Sequence, residues 1–305
     1  MHTQHDVIVV GGSFAGLSAA MQLARARRNV LIIDTGLPRN RFASHAHGFF
    51  GQDGKPPAEI IREAASQLAA YPTVQWVKGE AVTAQRTDNA FSVALSDGRI
   101  ESASRLILAT GVRDELPVIP GLQERWGMTA LHCPYCHGYE VRDRRLAVLG
   151  NHPLSAYQAL LIPDWGPTTY FTQGTFEPDA GQLAHLAARN VRIERSPVVE
   201  LLGQTPHLEA LRLADGRVVA IDALFVAPRT HINSTLAEQL GCAFDEAPLG
   251  PVIRVDDLKQ TTVEGVYAAG DVSNKMTNAT FASAAGVAAG VGAHHSLVPE
   301  LAQHK

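Results

Sequence analysis

Two cysteines three residues apart have the types and spacing that most directly suggest chemistry, in the run Cys133-Pro134-Tyr135-Cys136-His137. Cysteines at this spacing can face each other across one helical turn and exchange a disulfide for two thiols. The thiolate is the reactive form, and a helix N-terminus or a cationic histidine lowers the thiol pKa toward working pH. The same pentapeptide matches the attachment signature of c-type haem. Its cysteines could also supply half of a zinc site.

Length, composition and charge narrow these interpretations. The chain has 305 residues, which predicts about two domains, and 46% hydrophobic residues allow a sizeable core. The net charge of −4 gives no basic surface for nucleic acid, and no uncharged apolar run is long enough to cross a bilayer. The polar start lacks the features of a signal peptide, so we expect a cytoplasmic protein. In a cytoplasmic protein, three cysteines favour redox or metal chemistry over a structural disulfide framework. Attachment of c-type haem normally requires export, so the haem interpretation is disfavoured.

The N-terminal sequence contains a dinucleotide-binding pattern. Residues 6–10 predict a buried strand, residues 17–27 a helix, and residues 30–33 a second strand ending at Asp34. Glycines in the first turn let the backbone approach a pyrophosphate, and the helix N-terminus offers N–H groups to that anion. Asp34, 23 residues after the first glycine, would accept hydrogen bonds from an adenosine ribose. The predicted pyrophosphate-binding residues are Gly11, Gly12, Ser13 (in place of the usual middle glycine), Phe14, Ala15 and Gly16.

Two later segments indicate which dinucleotide is bound. Residues 105–109 predict a strand ending in Thr110-Gly111, and residues 265–269 predict another ending in Gly270-Asp271, with a helix of small residues after it. Together with the glycine turn and the cysteine pair, these segments resemble the thioredoxin reductase-like, FAD-dependent pyridine nucleotide-disulfide oxidoreductases. The resemblance implies that Thr110 and Gly111 lie beside the flavin and that Asp271 bonds its ribityl chain. It also implies that the last helix points its N-terminus at the flavin, where the reduced ring is negative.

The same resemblance predicts the fold and its domains. We expect an α/β protein with two Rossmann-like, three-layer ββα dinucleotide-binding domains, the second inserted in the first. Motifs for FAD at both ends of the chain make the FAD-binding domain discontinuous, residues 1–116 plus 247–305. The insert, residues 117–246, is NADPH-like and contains the cysteine pair. The family also implies a homodimer.

The second predicted nucleotide-binding turn departs from the family pattern. It follows the strand at 145–149 and has His152 where the family has its second glycine. A histidine there should clash with a pyrophosphate, and Pro153 removes an N–H that the phosphate could have used. After the next strand, Glu177 and Asp179 would repel a 2′-phosphate, which requires arginines. We therefore predict that this domain has lost NADPH, and a divergent but working NADPH site is the alternative.

Without NADPH, the remaining redox groups predict a flavin dithiol oxidase. Residues 133–140 look closer to the dithiol oxidase branch of the family than to thioredoxin reductases. A dithiol would reduce the cysteine disulfide by exchange, and dioxygen would reoxidise the flavin. By resemblance, Cys136 is the thiol next to the flavin and Cys133 the thiol that meets substrate. His137 occupies the position of the family's acidic proton donor. An imidazole titrates near neutral pH, so it can take a proton from an attacking thiol and return it to a leaving one.

Two other functions stay open. An NADPH-dependent thioredoxin or disulfide reductase would need a working second nucleotide site. A non-catalytic flavin redox sensor would change redox state without turnover. The expected partners are a small-molecule dithiol or disulfide, or a thioredoxin-like protein, and neither nucleic acid nor a membrane.

Several further residues support weaker predictions. His45 and His47 are candidate substrate-side groups, and His132 is a less compelling one. A zinc site made from these histidines and the cysteines is disfavoured because the two histidines fall in the other expected domain, so no metal is predicted. The run Arg39-Asn40-Arg41 could border the adenosine, although such a run is more often simply a solvated loop. Three residues are interpreted as packing groups: Cys242, Trp126 and Trp165.

Overall fold

The computed structural model describes residues 4–87 and 90–298, and these divide into two compact units. In the described part of the chain, unit 1 comprises residues 4–39, 58–113 and 231–298, and unit 2 comprises residues 40–57 and 114–230. None of the helices in this described part is long and apolar enough to span a membrane.

Strands and helices alternate along much of the chain. The strands are β1 (Gln4–Val10), β2 (Val30–Asp34), β3 (Val74–Lys78), β4 (Ala81–Arg86), β5 (Phe91–Leu95), β6 (Ile100–Leu108), β7 (Val112–Glu115), β8 (Ala130–Leu131), β9 (Leu146–Leu149), β10 (Thr168–Phe171), β11 (Arg192–Glu194), β12 (Val198–Leu202), β13 (Ala210–Leu213), β14 (Val218–Ala220), β15 (Ala223–Val226), β16 (Arg229–Ile232), β17 (Phe244–Ala247), β18 (Gly250–Ile253) and β19 (Val266–Ala268). The helices are α1 (Phe14–Arg25), α2 (Pro57–Leu68), α3 (Pro134–His137), α4 (Ser155–Leu161), α5 (Ala180–Ala188), α6 (Leu236–Gln239) and α7 (Ala279–Ser296).

Unit 1 is built on one twisted sheet. Among its described residues, seven strands pair in the order β3-β2-β1-β6-β5-β4, and β19 also pairs with β6. Strands β1, β2, β3, β6 and β19 are parallel, whereas β4 and β5 are antiparallel. The apolar sequence of β2, buried along four of its five residues, is typical of a parallel strand covered on both faces. The carboxyl ends of β2, β1, β6 and β19 therefore lie at one edge of the sheet.

Helices α1 and α7 pack against each other and against one face of this sheet. Small residues make the close approach possible. A Cβ at Gly286 would overlap the carbonyl oxygen of Ala15, and a Cβ at Gly290 would lie 2.6 Å from the oxygen of Ala19. The small-residue composition of α7, visible in the sequence, is thus required by helix–helix contact.

Unit 2 has three layers. Among its described residues, five parallel strands pair in the order β11-β10-β9-β15-β8, and β12, β13 and β14 form a separate antiparallel sheet. One apolar cluster lies between the two sheets, and another lies between the parallel sheet and helices α4 and α5. This ββα layering, with the parallel sheet of unit 1, confirms the expected α/β fold with two Rossmann-like domains.

The division into units differs from the expected domain limits at three places, of which the shortest is residues 114–116, expected in the FAD domain and found in unit 2. Residues 231–246 lie in unit 1, because Leu236, Ala237 and Cys242 are buried in the same apolar cluster as Ile8. Residues 40–57, expected in the FAD domain, lie in unit 2, where Phe42 packs against the backbone of residue 127. The sequence-based limits missed these segments because the unit against which each one packs is set by tertiary contacts and not by a local sequence signal.

Candidate active site

The cysteine pair lies directly after β8, at the carboxyl end of a strand in the parallel sheet of unit 2. Cys133 and Cys136 form a disulfide with their Cα atoms 5.3 Å apart. Cys133 is the N-cap of the short helix α3, and Pro134 occupies its first position, where a missing N–H costs nothing. The Cys136 N–H donates a hydrogen bond to Cys133 Sγ at 3.2 Å. When the disulfide is reduced, this donor can stabilise a thiolate on Cys133.

Packing fixes the orientation of α3. A Cβ at Gly138 would lie 2.6 Å from the Pro134 carbonyl oxygen and 2.8 Å from the Trp165 ring, so only glycine fits there. The Trp165 ring also meets the Tyr135 ring edge-on, with centroids 5.7 Å apart. The Tyr135 side chain nevertheless remains 74% exposed. Trp165 is therefore a packing residue that supports helix α3, which contains Cys136.

His137 opens onto a pocket of about 90 Å³ within unit 2. The pocket is lined by Ser44, His45, His47, Gly127, Met128, Leu131, His137, Glu140 and Val141. Burial lowers the pKa of His137 below the ordinary 6.5, the Glu140 carboxylate opposes that shift, and His47 adds to it. His137 is thus neutral at physiological pH and can accept a proton from a thiol.

His47 lies on a hairpin turn that reaches this pocket. The Ala46 N–H donates to the Lys55 carbonyl at 2.8 Å, which closes the turn. His47 Nδ1 lies 3.5 Å from an Asp53 carboxylate oxygen of the same turn, and its Nε2 lies 3.5 Å from Glu140 Oε1. The structure therefore brings His45, His47 and His137 together in one unit, which the expected domain limits had separated.

His132 is placed differently. One ring nitrogen, Nδ1, lies 3.3 Å from the Val226 carbonyl oxygen of the neighbouring strand, and its own carbonyl accepts from Gln158 Nε2 at 2.8 Å. It does not line the pocket of His137. These contacts give His132 a role in joining β8 to the sheet and to α4.

The residues predicted to bind the cofactor share one edge of the sheet of unit 1, at the ends of β1, β2, β6 and β19 and in the first turn of α1. They are Gly11, Gly12, Ser13, Phe14, Ala15, Gly16, Asp34, Thr110, Gly111, Gly270 and Asp271. The Ser13 side chain makes no capping hydrogen bond to the first turn of α1, so the N–H groups of that turn can bind an anion.

The backbone at this edge fits a dinucleotide pyrophosphate. Gly11 has φ +111°, and a Cβ there would overlap the carbonyl oxygen of Ala109. A Cβ at Gly12 would lie 2.8 Å from the Asp34 carboxyl carbon, and one at Gly16 would overlap the Gly11 carbonyl oxygen. Three glycines thus form a turn that no side chain could enter, as close approach to a phosphate requires.

Asp34 is held in place by the same turn. Its Oδ1 accepts the Gly12 N–H at 2.8 Å, and its Oδ2 accepts the Gly36 N–H at 3.0 Å. Each carboxylate oxygen can accept a further hydrogen bond, so the group remains suited to a ribose hydroxyl.

Arg39 is a residue of this edge whose partner the sequence did not predict. Its Nη1 donates to Asp271 Oδ2 at 2.8 Å and to Thr277 Oγ1 at 3.2 Å. The interpretation of residues 39–41 as a solvated loop is therefore wrong for Arg39, whose partner lies 232 positions away. No local pattern could have predicted a pair at that separation.

The second nucleotide-binding turn uses its own N–H groups. The N–H groups of Asn151 and His152 donate to Ser155 Oγ at 3.3 and 3.2 Å, and the Leu154 N–H donates to His152 Nδ1 at 3.1 Å. Pro153 has no N–H to offer. Burial and the charge of Arg229 lower the pKa of His152, which keeps its ring neutral and able to accept.

The acidic residues after β10 also have internal partners. Glu177 accepts from the Thr172 hydroxyl at 2.6 Å and pairs with Arg195 at 3.1 Å, and Asp179 caps helix α5 together with Gln182. Both carboxylates therefore have partners within unit 2.

The remaining candidates are structural. Cys242 is buried, its sulfur lies 3.5 Å from the Thr261 hydroxyl, and burial raises the pKa of its thiol. Trp126 is buried between the two sheets of unit 2. Across residues 4–87 and 90–298, no group of three or more His, Cys, Asp or Glu side chains could hold a metal ion.

Comparison with known proteins identifies the family. The family model for pyridine nucleotide-disulphide oxidoreductases matches residues 5–286. The chain belongs to this family. The oxidoreductase is 33% identical over 308 residues to thioredoxin reductase tcpT of Claviceps purpurea (strain 20.1), covering 97% of this chain and 95% of that one.

Solved structures agree with this assignment. An oxidoreductase from Agrobacterium tumefaciens is 50% identical, with a TM-score of 0.93 and coverage of 97% of this chain and 99% of that one. The crystal structure of HlmI is 36% identical, with a TM-score of 0.91 and coverage of 100% and 97%. The protein is thus an enzyme, a thioredoxin reductase-like flavoprotein oxidoreductase whose cofactor is FAD. The expected family and cofactor are confirmed.

Proposed function

We propose that this oxidoreductase is a dithiol oxidase, which converts a dithiol to a disulfide with dioxygen as the final electron acceptor. The observation that carries the proposal is the second nucleotide-binding turn. A pyrophosphate needs N–H groups that point outward, whereas those of Asn151, His152 and Leu154 are donated within the turn. A protein that has lost NADPH must take its electrons from the dithiol side.

The cysteine pair supports exchange with such a dithiol. A substrate thiolate attacks Sγ of Cys133, a mixed disulfide forms, the Cys133–Cys136 bond breaks, and Cys136 leaves as a thiolate. The second substrate thiolate attacks the substrate sulfur of the mixed disulfide, which releases the substrate disulfide and the Cys133 thiolate. Two electrons have then passed from the substrate to the cysteines. Bound FAD supplies a two-electron acceptor for the reduced pair and can pass those electrons to dioxygen, which yields hydrogen peroxide.

His137 moves the protons of these steps. Its neutral imidazole takes a proton from the attacking substrate thiol, because only the thiolate is nucleophilic. The proton can then return to the sulfur that leaves. Glu140, which opposes the lowering of the His137 pKa, keeps the ring basic enough for this role.

The decisive experiment is an anaerobic titration of the purified FAD-bound protein, followed by flavin absorbance. We expect NADPH and NADH to leave the flavin oxidised, dithiothreitol to bleach it, and air to restore the colour with release of hydrogen peroxide. Rapid bleaching by NADPH would overturn the proposal in favour of a disulfide reductase. Bleaching by neither donor would favour a redox sensor. Repeating the titration with reduced thioredoxin distinguishes a protein partner from a small-molecule one.

The pH dependence of flavin reduction by dithiothreitol should report His137. Because burial lowers the pKa of this base, the acid limb of the rate profile is expected below pH 6.5. His47→Gln removes a positive charge and should move the limb to higher pH, whereas Glu140→Gln removes a negative charge and should move it to lower pH. The matched control is His185→Gln, an exposed histidine of α5, which should leave the limb in place. Shifts of the opposite sign in the first two variants would remove His137 from the proton transfer.

A further inference from the structure

The Arg39 side chain is partly buried at the predicted FAD-binding edge, five residues after Asp34. It is 20% exposed, and its partner Asp271 is 17% exposed. An arginine and a carboxylate at 2.8 Å with so little exposure are weakly screened by solvent. Removing one partner would leave the other charge without compensation, which is more costly than losing an exposed ion pair.

The same guanidinium nitrogen connects the two ends of one segment. Asp271 follows β19, and Thr277 directly precedes the N-cap of α7, so a single atom of Arg39 holds both ends of residues 271–277. At the end of that segment, Asn278 caps α7 by accepting the Phe281 N–H at 2.7 Å. Arg39 thus determines where the carboxylate and the start of α7 lie relative to the turn that holds Asp34.

We propose that Arg39 is a positioning residue of the FAD site, which fixes the Asp271 carboxylate and the start of α7 for the bound cofactor. This inference rests on the proposed role of Asp271 as an FAD ligand. The guanidinium contacts one carboxylate oxygen, Oδ2, and the carboxylate retains acceptor capacity for a cofactor hydroxyl. If FAD binds at this edge, the Arg39 guanidinium would offset the Asp271 carboxylate and so reduce the repulsion of a cofactor that gains negative charge on reduction.

The test compares Arg39→Gln and Arg39→Lys with Arg41→Gln, an exposed neighbour. FAD is titrated into each apoprotein to measure Kd, and the midpoint potential of the bound flavin is measured against a reference dye. Arg39→Gln is expected to raise Kd by tenfold or more and to shift the potential to a more negative value. Arg39→Lys should give an intermediate Kd, because an ammonium is a point charge without the arginine fork. Arg41→Gln should stay within twofold of the wild type.

A wild-type Kd together with a wild-type potential in Arg39→Gln would overturn the inference. If that variant does not fold, Arg39→Lys decides, since a Kd equal to the wild-type value would then show that the guanidinium geometry is not needed. A double-mutant cycle with Asp271→Asn adds a second criterion, because residues that act together are not additive. Additive losses of FAD affinity would contradict the coupling. These measurements use no dithiol, so they test the role of Arg39 independently of the oxidase activity. Either proposal can be disproved while the other is supported.

Discussion

Replacing Cys136 with serine is expected to abolish reduction of the flavin by dithiols. A hydroxyl cannot form the internal disulfide, so exchange has no second sulfur and no electron pair reaches the cofactor. The rate of anaerobic flavin bleaching by dithiothreitol should fall by about three orders of magnitude or more, as when the nucleophile of a catalytic unit is removed. The measurement is stopped-flow absorbance of the FAD-bound variant.

Cys242→Ser is the matched control for this variant. It makes the same atomic change at the buried cysteine of unit 1, beside the Thr261 hydroxyl, and should leave the bleaching rate unchanged. Retention of wild-type bleaching in Cys136→Ser would remove the cysteine pair from the mechanism. Loss of bound FAD in Cys136→Ser would show an indirect effect, so the flavin content of both variants is measured first.

Replacing Gly16 with alanine is expected to remove FAD and destabilise unit 1. Gly16 lies inside α1, where alanine would ordinarily stabilise a helix by roughly 1 kcal/mol. Here the added Cβ would overlap the carbonyl oxygen of Gly11. Gly11 cannot move away, because it is packed in turn against the Ala109 carbonyl. We expect a loss of roughly 1–3 kcal/mol in unfolding free energy, as for an overpacked core, and purification without bound flavin.

Gly181→Ala provides the comparison, since it is also a helical glycine, in α5, and its Cβ would meet only Asp179 Oδ1 at 3.3 Å. That variant should match or exceed the wild-type thermal midpoint and keep its FAD. Equal flavin content and equal midpoints for the two alanine variants would disprove the steric argument for the glycine turn.

Local sequence predicted much of this fold because the signals are short-range. The apolar runs at β1, β2 and β6 are continuous, as in strands buried on both faces, and each ends in a turn residue that marks its carboxyl end. Parallel strands place their carboxyl ends at one edge, so Gly11, Asp34 and Asp271 could be assigned to one site before any coordinates. The pairing of Cys133 with Cys136 across one turn is equally local.

Other features depend on contacts between distant segments. His47 meets Glu140 through a hairpin that clusters with unit 2, although the sequence placed it in the FAD domain. Residues 231–246 belong to unit 1 because Leu236 and Cys242 fill its core, and side-chain burial of that kind leaves no periodic signal in so short a segment. The hydrogen bonds from the Asn151 and His152 N–H groups to Ser155 Oγ likewise depend on the folded shape of the turn, which the sequence does not show.

By itself the sequence determined the family, the FAD cofactor and the cysteine pair, since these follow from residue types at fixed short spacings. Only the tertiary structure decided that Arg39 pairs with Asp271, that three histidines gather beside α3, and that the second nucleotide turn is satisfied internally. The reason is physical: a hydrogen bond or ion pair between segments depends on how the whole chain packs, and composition does not encode that distance.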